Sequence, residues 1–406
     1  MSLPLIVGIT GPYGAGRTTV AGILGERYGT EVISLSGLIA QHCGLHDAST
    51  RALQHAGDDL RETQGKDAVA QLAVALIRSG DDSVYVLDGI KNPAEASLLR
   101  GHGRFFLLAV QASADERYRR KAPDLEGGRT EFDEIDDRDN KETDQWGVTL
   151  SHGQRVADCV SRADAVIWND RPLSTRLRDE HGTLGELEAK CRRFCALVDD
   201  PGCQPPTLVE IRMCQAYAVA QRSSCLQRAV GAVVANADGR ILAEGFNEVP
   251  SGQPSCADLR GQCYRARLRD RELAELAALF NCPGCGGALD EDLSCEACGM
   301  ALKQRLPRRK NLDYCRALHA EENAILQISK YGGVGLQGSV IFVTAFPCGL
   351  CAKKIVSCGI EMVVFSEPYD VPEATSLFQM AGTEVRAFEG FTHHAFQRVF
   401  TTNREA

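Results

Sequence analysis

Several features that define other classes of protein are absent from this 406-residue sequence. No apolar run is long enough to span a bilayer, and the start MSLPLIVGIT has the pattern of a buried strand rather than of a secretory signal peptide. The formal net charge of −9 gives no overall basic character to attract nucleic acid. The chain also lacks internal repeats and long low-complexity tracts. We therefore expect a globular protein without a membrane partner.

Cysteine is scarce in the first half of the chain and frequent in the second. Only Cys43 and Cys159 precede residue 190, whereas the other fifteen of the 17 cysteines follow it. Several of these are spaced as Cys-x-x-Cys, and no export signal accompanies them. This usage indicates zinc sites in a reducing cytoplasm rather than a disulfide framework.

The order of the predicted elements divides the chain into two α/β domains. Residues 1–182 alternate strands with helices, which predicts a parallel, doubly wound sheet. Its expected strands are Leu5–Ile9, Val84–Leu87, Phe105–Val110 and Ala165–Trp168. Residues 183–206 are expected as a helical linker that ends in a segment rich in proline and glycine. Residues 207–406 form the second domain, with an insertion at 264–313.

Three segments carry further structural expectations. Val230–Ala235 and Arg240–Gly245 predict a hairpin. Cys315–Tyr331 is expected as one helix. Asp124–Asp144 is dense in charge and poor in apolar residues, which predicts a mobile lid or a disordered loop.

A glycine-rich stretch follows the first predicted strand. Gly11-Pro-Tyr-Gly14-Ala-Gly16-Arg17-Thr18 fits the phosphate-binding pattern G-x-x-x-x-G-K-[ST], with arginine in the lysine position. Glycines there let backbone N–H groups converge on phosphate oxygens at a helix N-terminus. Thr18 and Asp88, which follows the second predicted strand, are expected to hold Mg²⁺ with a nucleotide. The alternative is a glycine-rich turn without a ligand.

Arg17 bears on what such a site does. Arginine is larger than lysine and prefers planar, bidentate partners, so phosphate binding is a stronger expectation than phosphoryl transfer. The region resembles nucleoside-monophosphate kinases and dephospho-CoA kinase. That resemblance implies an acceptor contact at Asp88–Pro93 and a lid around Arg129 and Arg138.

The second domain contains a metal-ligand pattern with a carboxylate beside it. His319-Ala320-Glu321 precedes Pro347-Cys348-Gly349-Leu350-Cys351. His319, Cys348 and Cys351 can hold Zn²⁺ and leave a fourth position for water, whose pKa the metal lowers towards about 7. Glu321 is then placed to carry protons. A purely structural metal site, a structural clip or a redox pair are the alternatives.

This arrangement resembles the zinc-dependent nucleobase deaminases, and the surrounding sequence resembles deoxycytidylate deaminases in particular. The resemblance continues through Gly245–Gly252 and His319–Asn323 and covers about the last half of the chain. It implies that Asn247 contacts the sugar 3′-hydroxyl, for which a simple turn residue is the alternative. Three further residues are candidates for gripping the phosphate, with ordinary surface positions as the alternative: Arg222, Ser224 and Arg228.

The inserted segment contains two further Cys-x-x-Cys pairs. Cys282, Cys285, Cys295 and Cys298 predict a closed four-thiolate zinc ribbon, because a glycine follows each pair. A redox role is the alternative. Four other cysteines are either small buried thiols or, by the deaminase resemblance, ligands of a third zinc: Cys225, Cys256, Cys263 and Cys315. The basic stretch 303–310 is either a solvated helix end or a contact for phosphates or RNA.

The leading functional hypothesis is zinc-dependent deamination of a free deoxycytidine nucleotide. A kinase-like domain fused to such a deaminase resembles the bacterial anti-phage dCTP/dCMP deaminases, which implies dCTP as well as dCMP as substrate, and defence by nucleotide depletion. House-keeping dUMP supply and a tRNA or single-stranded DNA deaminase are the alternatives; net acidity argues against the latter. Expected partners are a regulatory nucleotide, further copies of the chain, and an inhibitory RNA or protein of unknown identity.

Overall fold

The computed structural model describes residues 3–45, 49–140, 151–170, 182–268, 315–368 and 371–401. Between 269 and 314 it describes residues 271, 275, 281–282, 284–290, 294–295 and 297–299. The basic stretch 303–310 thus lies outside the described residues, as does the end of the expected lid at 141–144. Among the described helices, none combines the length and the apolar character needed to cross a bilayer.

The chain forms two compact units that differ from the expected domains in two respects. Unit 1 comprises residues 1–206 together with 389–406, and unit 2 comprises residues 207–388. The segment 183–206 is not a linker, because most of it is a helix packed in the core of unit 1. The C-terminal residues also belong to unit 1, so that unit 2 is inserted into unit 1.

Unit 1 is built on a six-stranded sheet. Its strands are β1 (Leu5–Thr10), β2 (Val32–Ser34), β3 (Val84–Asp88), β4 (Arg104–Gln111), β5 (Ala165–Trp168) and, from the C-terminal segment, β11 (Gly390–Phe391). The order is β11-β5-β4-β1-β3-β2, with β11 antiparallel to β5 and every other pair parallel. Each of the four expected strands is confirmed to within one residue at each end. Strand β2 was not predicted, because its three residues are too few to show the alternation of apolar and polar side chains that indicates a strand.

Helices flank this sheet. They are α1 (Arg17–Tyr28), α2 (Leu35–Cys43), α3 (Thr50–Gln64), α4 (Ala68–Ser79), α5 (Pro93–Arg100), α6 (Ala114–Lys121), α7 (Gly128–Asn140), α8 (Val156–Ser161), α9 (Gly182–Asp199) and, near the C-terminus, α15 (Phe396–Phe400). All six residues of β1 are buried, as expected for a central parallel strand covered on both faces. The parallel, doubly wound sheet predicted for this part of the chain is therefore confirmed.

The stretch expected as a lid or loop contains a regular helix in its described part. In α7, Phe132 is fully buried and Ile135 nearly so. Asp136 forms an ion pair with Arg117, and Asp139 forms one with Lys91 at 2.7 Å. Two of the carboxylates in this stretch, those of Asp136 and Asp139, are therefore paired inside the fold, and a composition rule for disorder does not distinguish them from solvated ones.

Unit 2 is built on a five-stranded mixed sheet. Its strands are β6 (Gly231–Ala235), β7 (Ile241–Phe246), β8 (Val340–Ala345), β9 (Met362–Glu367) and β10 (Glu384–Ala387). The order is β10-β9-β8-β6-β7, with β8, β9 and β10 parallel and β6 antiparallel to both of its neighbours. The expected hairpin is thus present as β6 and β7.

The helices of unit 2 are α10 (Leu208–Ala220), α11 (Cys256–Arg260), α12 (Ala320–Tyr331), α13 (Gly349–Ser357) and α14 (Pro372–Ala381). The helix expected over Cys315–Tyr331 begins only at Ala320. Leu318 instead exchanges two backbone hydrogen bonds with Glu248, at 2.9 and 3.2 Å. This bridge holds Leu318 in a strand-like pairing just before the N-cap residue His319 and so fixes the residue at which the helix begins.

Candidate active site and nucleotide cavity

Two helix N-termini of unit 2 bring the predicted metal ligands together. His319 is the N-cap residue of α12, and Cys348 is the N-cap residue of α13. The His319 Nδ1 atom lies 3.3 Å from the Sγ atoms of both Cys348 and Cys351. A hydrogen bond from Cys351 is the main cause that lowers the pKa of the Cys348 thiol to about 4. One imidazole nitrogen and two sulfur atoms at this spacing form a donor set that suits Zn²⁺.

Glu321 lies in the first turn of α12 and is 4% exposed. Burial is the largest influence on its carboxyl group and raises its pKa. The neighbouring Glu322 behaves differently, because it forms a 2.8 Å ion pair with Lys354 of α13. Of these two adjacent carboxylates, only Glu321 is therefore buried beside the metal ligands without a lysine or arginine partner among the described residues.

The four cysteines of the insertion also form a compact group. Cys282 Sγ lies 3.6 Å from Cys298 Sγ, and Cys285 Sγ lies 3.4 Å from Cys295 Sγ. In each Cys-x-x-Cys pair the glycine after the second cysteine donates its N–H to the carbonyl of the first, at 2.7 and 2.8 Å. Both glycines, Gly286 and Gly299, have φ near +70°, which non-glycine residues rarely adopt. The donor set matches a closed, structural zinc site.

The remaining cysteine set is more dispersed. Cys225, Cys256, Cys263 and Cys315 do not form a metal-ligand group among the described residues. Burial is the main cause that raises the pKa of Cys315, and the charges of Cys225 and Cys263 add to it. Three of the four thiols are thus near one another without the close spacing of a bound metal.

The residues expected to grip the substrate are largely engaged by the protein itself. The Asn247 side chain accepts a hydrogen bond from the Val230 N–H at 2.8 Å and donates one to the Arg228 carbonyl at 2.9 Å. It therefore fixes the backbone immediately before β6. The Arg222 guanidinium lies over the Phe246 ring, 4.8 Å from its centroid.

The other two candidates, Ser224 and Arg228, are bound by two glutamates that were not predicted from the sequence. Glu248 accepts hydrogen bonds from the Ser224 hydroxyl at 2.7 Å and from the Ser224 N–H at 3.0 Å. Glu367 forms an ion pair with Arg228. The only available signal was indirect and concerned Glu248 alone, which lies in the segment Gly245–Gly252 that resembles deoxycytidylate deaminases.

In unit 1 the glycine-rich stretch joins β1 to α1, as expected of a phosphate-binding loop. Gly11, Gly14 and Gly16 all have positive φ, and Gly16 is the N-cap residue of α1. The Thr18 hydroxyl donates a 2.8 Å hydrogen bond to Asp88 Oδ2 at the end of β3. The other carboxylate oxygen, Oδ1, is buried without a hydrogen-bond partner in the described structure. Two hard oxygen ligands, one of them unsatisfied, suit Mg²⁺.

A cavity of about 430 Å³ adjoins this loop. Its lining includes five cationic side chains: Arg17, Arg61, Lys91, Arg120 and Lys121. Four of them form ion pairs with carboxylates of unit 1. Arg17 is the exception in the described part of the chain, where it has neither a hydrogen bond nor an ion pair. Arg17, which replaces the usual lysine of the motif, is thus the one cation of this lining that forms no ion pair in the described structure.

The glycine-rich loop is also held by Asn169, a residue that no sequence pattern indicated. Asn169 follows β5 and donates a 2.9 Å hydrogen bond to the carbonyl of Ala15. A Cβ atom on Gly16 would lie only 2.3 Å from the Asn169 amide nitrogen, so glycine is required there. Arg120 donates hydrogen bonds to Asn169 and Ala15.

Comparison with known proteins gives independent matches. Residues 208–367 match the model of the cytidine and deoxycytidylate deaminase zinc-binding region. The deoxycytidylate deaminase of Enterobacteria phage T4 is 31% identical over 177 residues, which is 42% of this chain and 84% of that protein. A deoxycytidylate deaminase of Schizosaccharomyces pombe is 26% identical over 308 residues, 75% of this chain and 76% of that protein. The latter match is longer than unit 2 and therefore extends into unit 1.

Among solved structures, the dCMP deaminase of cyanophage S-TIM5 in complex with dCMP and dUMP matches 46% of this chain and 99% of its own. Its sequence identity is 25% and its TM-score is 0.30.

Proposed function

Since the chain belongs to the cytidine and deoxycytidylate deaminase family, we propose that it removes the amino group of a free deoxycytidine nucleotide by hydrolysis. The products are ammonia and the deoxyuridine nucleotide. The observation that carries this proposal is the grouping of His319, Cys348 and Cys351 beside the buried Glu321.

The three ligands would hold the metal of the reaction. When bound, Zn²⁺ with three protein ligands leaves one position for water and lowers the pKa of that water to about 7. His319 and Cys348 are fixed because each begins a helix, and Cys351 lies in the first turn of α13. The Glu322–Lys354 ion pair joins these two helices and keeps the ligands in register.

Glu321 moves the protons. Its carboxylate takes one proton from the attacking water and passes it to N3 of the cytosine ring. It then takes the second proton from the hydroxyl group formed at C4 and delivers it to the leaving amino nitrogen. Burial favours its neutral form and so keeps the carboxyl group able to donate.

The relatives named deoxycytidylate deaminase favour dCMP as substrate, and dCTP is a second substrate under the same chemistry. Depletion of deoxycytidine nucleotides in anti-phage defence and supply of dUMP are equally compatible uses of the activity. We place the protein in a reducing cytoplasm, since zinc thiolates require reduced cysteines.

Two further sites belong to the proposal. The four-thiolate group is a structural zinc ribbon that stabilises a segment too small to form its own core. The unit 1 cavity holds the phosphates of a nucleotide, with Thr18 and Asp88 as ligands for Mg²⁺.

One assay tests the proposed activity. Purified protein is incubated with dCMP, dCTP, CTP and single-stranded DNA, and formation of the uracil product is followed. We expect turnover of dCMP or dCTP. Turnover of the polynucleotide alone would refute a free-nucleotide substrate.

A further inference from the structure

We propose that Glu248 determines specificity at the unit 2 site: its carboxylate accepts a hydrogen bond from the free 3′-hydroxyl of the nucleotide and excludes a phosphate group at that oxygen. The inference rests on the proposed deaminase activity of unit 2, and it names the residue that restricts this activity to free nucleotides.

Glu248 lies beside the histidine ligand of the metal site. Its backbone exchanges two hydrogen bonds with Leu318, at 2.9 and 3.2 Å, and Leu318 directly precedes His319. A second contact holds the same segment against α12, because the Asn323 side chain donates a 2.8 Å hydrogen bond to the Phe246 carbonyl. The backbone at Glu248 is therefore fixed relative to the helix that begins at the metal site.

Three hydrogen bonds position the Glu248 carboxylate without using all of its acceptor capacity. Oε1 accepts the Ser224 hydroxyl at 2.7 Å and the Val249 N–H at 2.8 Å, and Oε2 accepts the Ser224 N–H at 3.0 Å. A carboxylate offers about four lone-pair sites, so one site on Oε2 is left over among the described contacts. The residue is half-buried, so a bound molecule can reach it.

The charge of this carboxylate is not balanced by a basic side chain in the described part of unit 2. Two other glutamates of the unit differ in this respect, since Glu322 pairs with Lys354 at 2.8 Å and Glu367 pairs with Arg228. An anionic acceptor attracts a hydroxyl or N–H donor and repels a phosphate group. The Glu248 carboxylate is thus suited to an uncharged donor of the substrate.

A deoxycytidine nucleotide offers few groups that match. Its hydrogen-bond donors are the 4-amino group, which is removed at the metal site, and the 3′-hydroxyl. Its 5′-phosphate is itself an anionic acceptor. The 3′-hydroxyl is therefore the partner that fits Glu248, and the adjacent Asn247 does not compete for it, because its amide binds backbone groups at both ends.

The same contact discriminates against polynucleotides. In a polynucleotide the 3′-oxygen is esterified to phosphate, which removes the donor and adds a negative charge beside the carboxylate. A site built to bind a substrate hydroxyl strongly rejects an analogue without it, because its polar groups are then left unpaired. Glu248 accordingly gives an electrostatic reason for a free-nucleotide substrate.

The test compares three substrates that differ only at this position: dCMP, 2′,3′-dideoxycytidine 5′-monophosphate and deoxycytidine 3′,5′-bisphosphate. For the wild-type chain we expect kcat/KM of the dideoxy compound to be at least about tenfold below that of dCMP, as for the loss of a hydrogen bond to a charged group. The bisphosphate should be at least about a hundredfold poorer than dCMP, since charge repulsion is added.

Glu248→Gln removes the charge and keeps the shape of the side chain. The preference for dCMP over the bisphosphate should fall at least about tenfold, and the zinc content should be unchanged. Glu244→Gln is the matched control: Glu244 is an exposed residue of β7 whose N–H also contacts α12, at Gln327 Oε1 and 2.9 Å. This variant should keep the wild-type preferences.

Equal turnover of all three substrates by wild type would overturn the proposal, and this measurement requires no variant to fold. Unchanged preferences in Glu248→Gln would overturn it as well. If dCMP is not deaminated at all, the proposed activity fails. The effect of Glu248→Gln on calorimetric binding of the same three compounds then still decides whether Glu248 reads the 3′ position.

Discussion

Glu321→Gln is the most direct test of how unit 2 works. Glutamine has nearly the same volume as glutamate, so at a position that is 4% exposed it leaves no cavity. The substitution removes the group that takes up and releases protons while preserving the position of α12. His319, Cys348 and Cys351 supply the metal-ligand atoms without Glu321, so we expect the zinc content to be unchanged.

The size of the effect follows from the role assigned to the carboxylate. A positioned general acid or base contributes about 10²–10⁴-fold to a rate. At about 1.36 kcal/mol per factor of ten, this corresponds to about 2.7–5.4 kcal/mol of transition-state free energy. We therefore expect kcat to fall by at least about a hundredfold.

The adjacent residue provides a matched control. Glu322→Gln changes the same chemical group one position along the helix, but Glu322 is partly exposed and paired with Lys354. Such a pair is worth about 0–1 kcal/mol, so kcat should remain within a few-fold of wild type. The assay measures dCMP and dCTP deamination together with zinc per chain. If Glu321→Gln retains more than about a tenth of wild-type kcat, or loses zinc, Glu321 is not the proton carrier.

Three other predictions concern metal content and stability. Metal analysis should find two zinc ions per chain, and Cys298→Ala should lower this to one; three ions would mean that Cys225, Cys256, Cys263 and Cys315 also bind zinc. Asn247→Ala should lower the free energy of unfolding by about 1–3 kcal/mol in denaturant titrations, because two part-buried backbone groups lose their hydrogen-bond partner; a loss of dCMP affinity with unchanged stability would instead favour the sugar contact. Burial, aided by His394, lowers the pKa of His393 to about 4, below that of the unfolded chain at about 6.5. Since the unfolded state then binds more protons, stability should fall as the pH drops from 6.5 towards 4, and an equal slope in His393→Asn would contradict this.

The parts of the fold that were predictable from sequence depend on local patterns. The four predicted strands of unit 1 are largely buried apolar runs, and three of them end in a polar or charged residue: Thr10, Asp88 and Gln111. The hairpin of unit 2 has a turn of polar residues and glycine between two apolar runs. In both cases the signal lies within about ten residues, so a single sequence contains it.

The differences arise where distant residues decide the structure. Asp136 and Asp139 are indistinguishable in sequence from solvated carboxylates until Arg117 and Lys91 are brought beside them. The start of α12 depends on a bridge between Leu318 and Glu248, seventy residues apart in the chain. The zinc ligands could be predicted from sequence because each Cys-x-x-Cys pair is local and its chemistry is specific. The ion pair between Arg228 and Glu367 could not be predicted, because neither residue is unusual by itself.

The insertion of unit 2 into unit 1 has a consequence for synthesis of the chain. Residues 389–401 provide an edge strand, the Phe391 ring stacked on Phe194, and the Arg398–Asp164 ion pair. These contacts cannot form until residues 389–401 have left the ribosome, whereas every residue of unit 2 has emerged by then. The usual order, in which the N-terminal domain folds first, is thereby reversed: the catalytic half of the protein is complete before the half that precedes it.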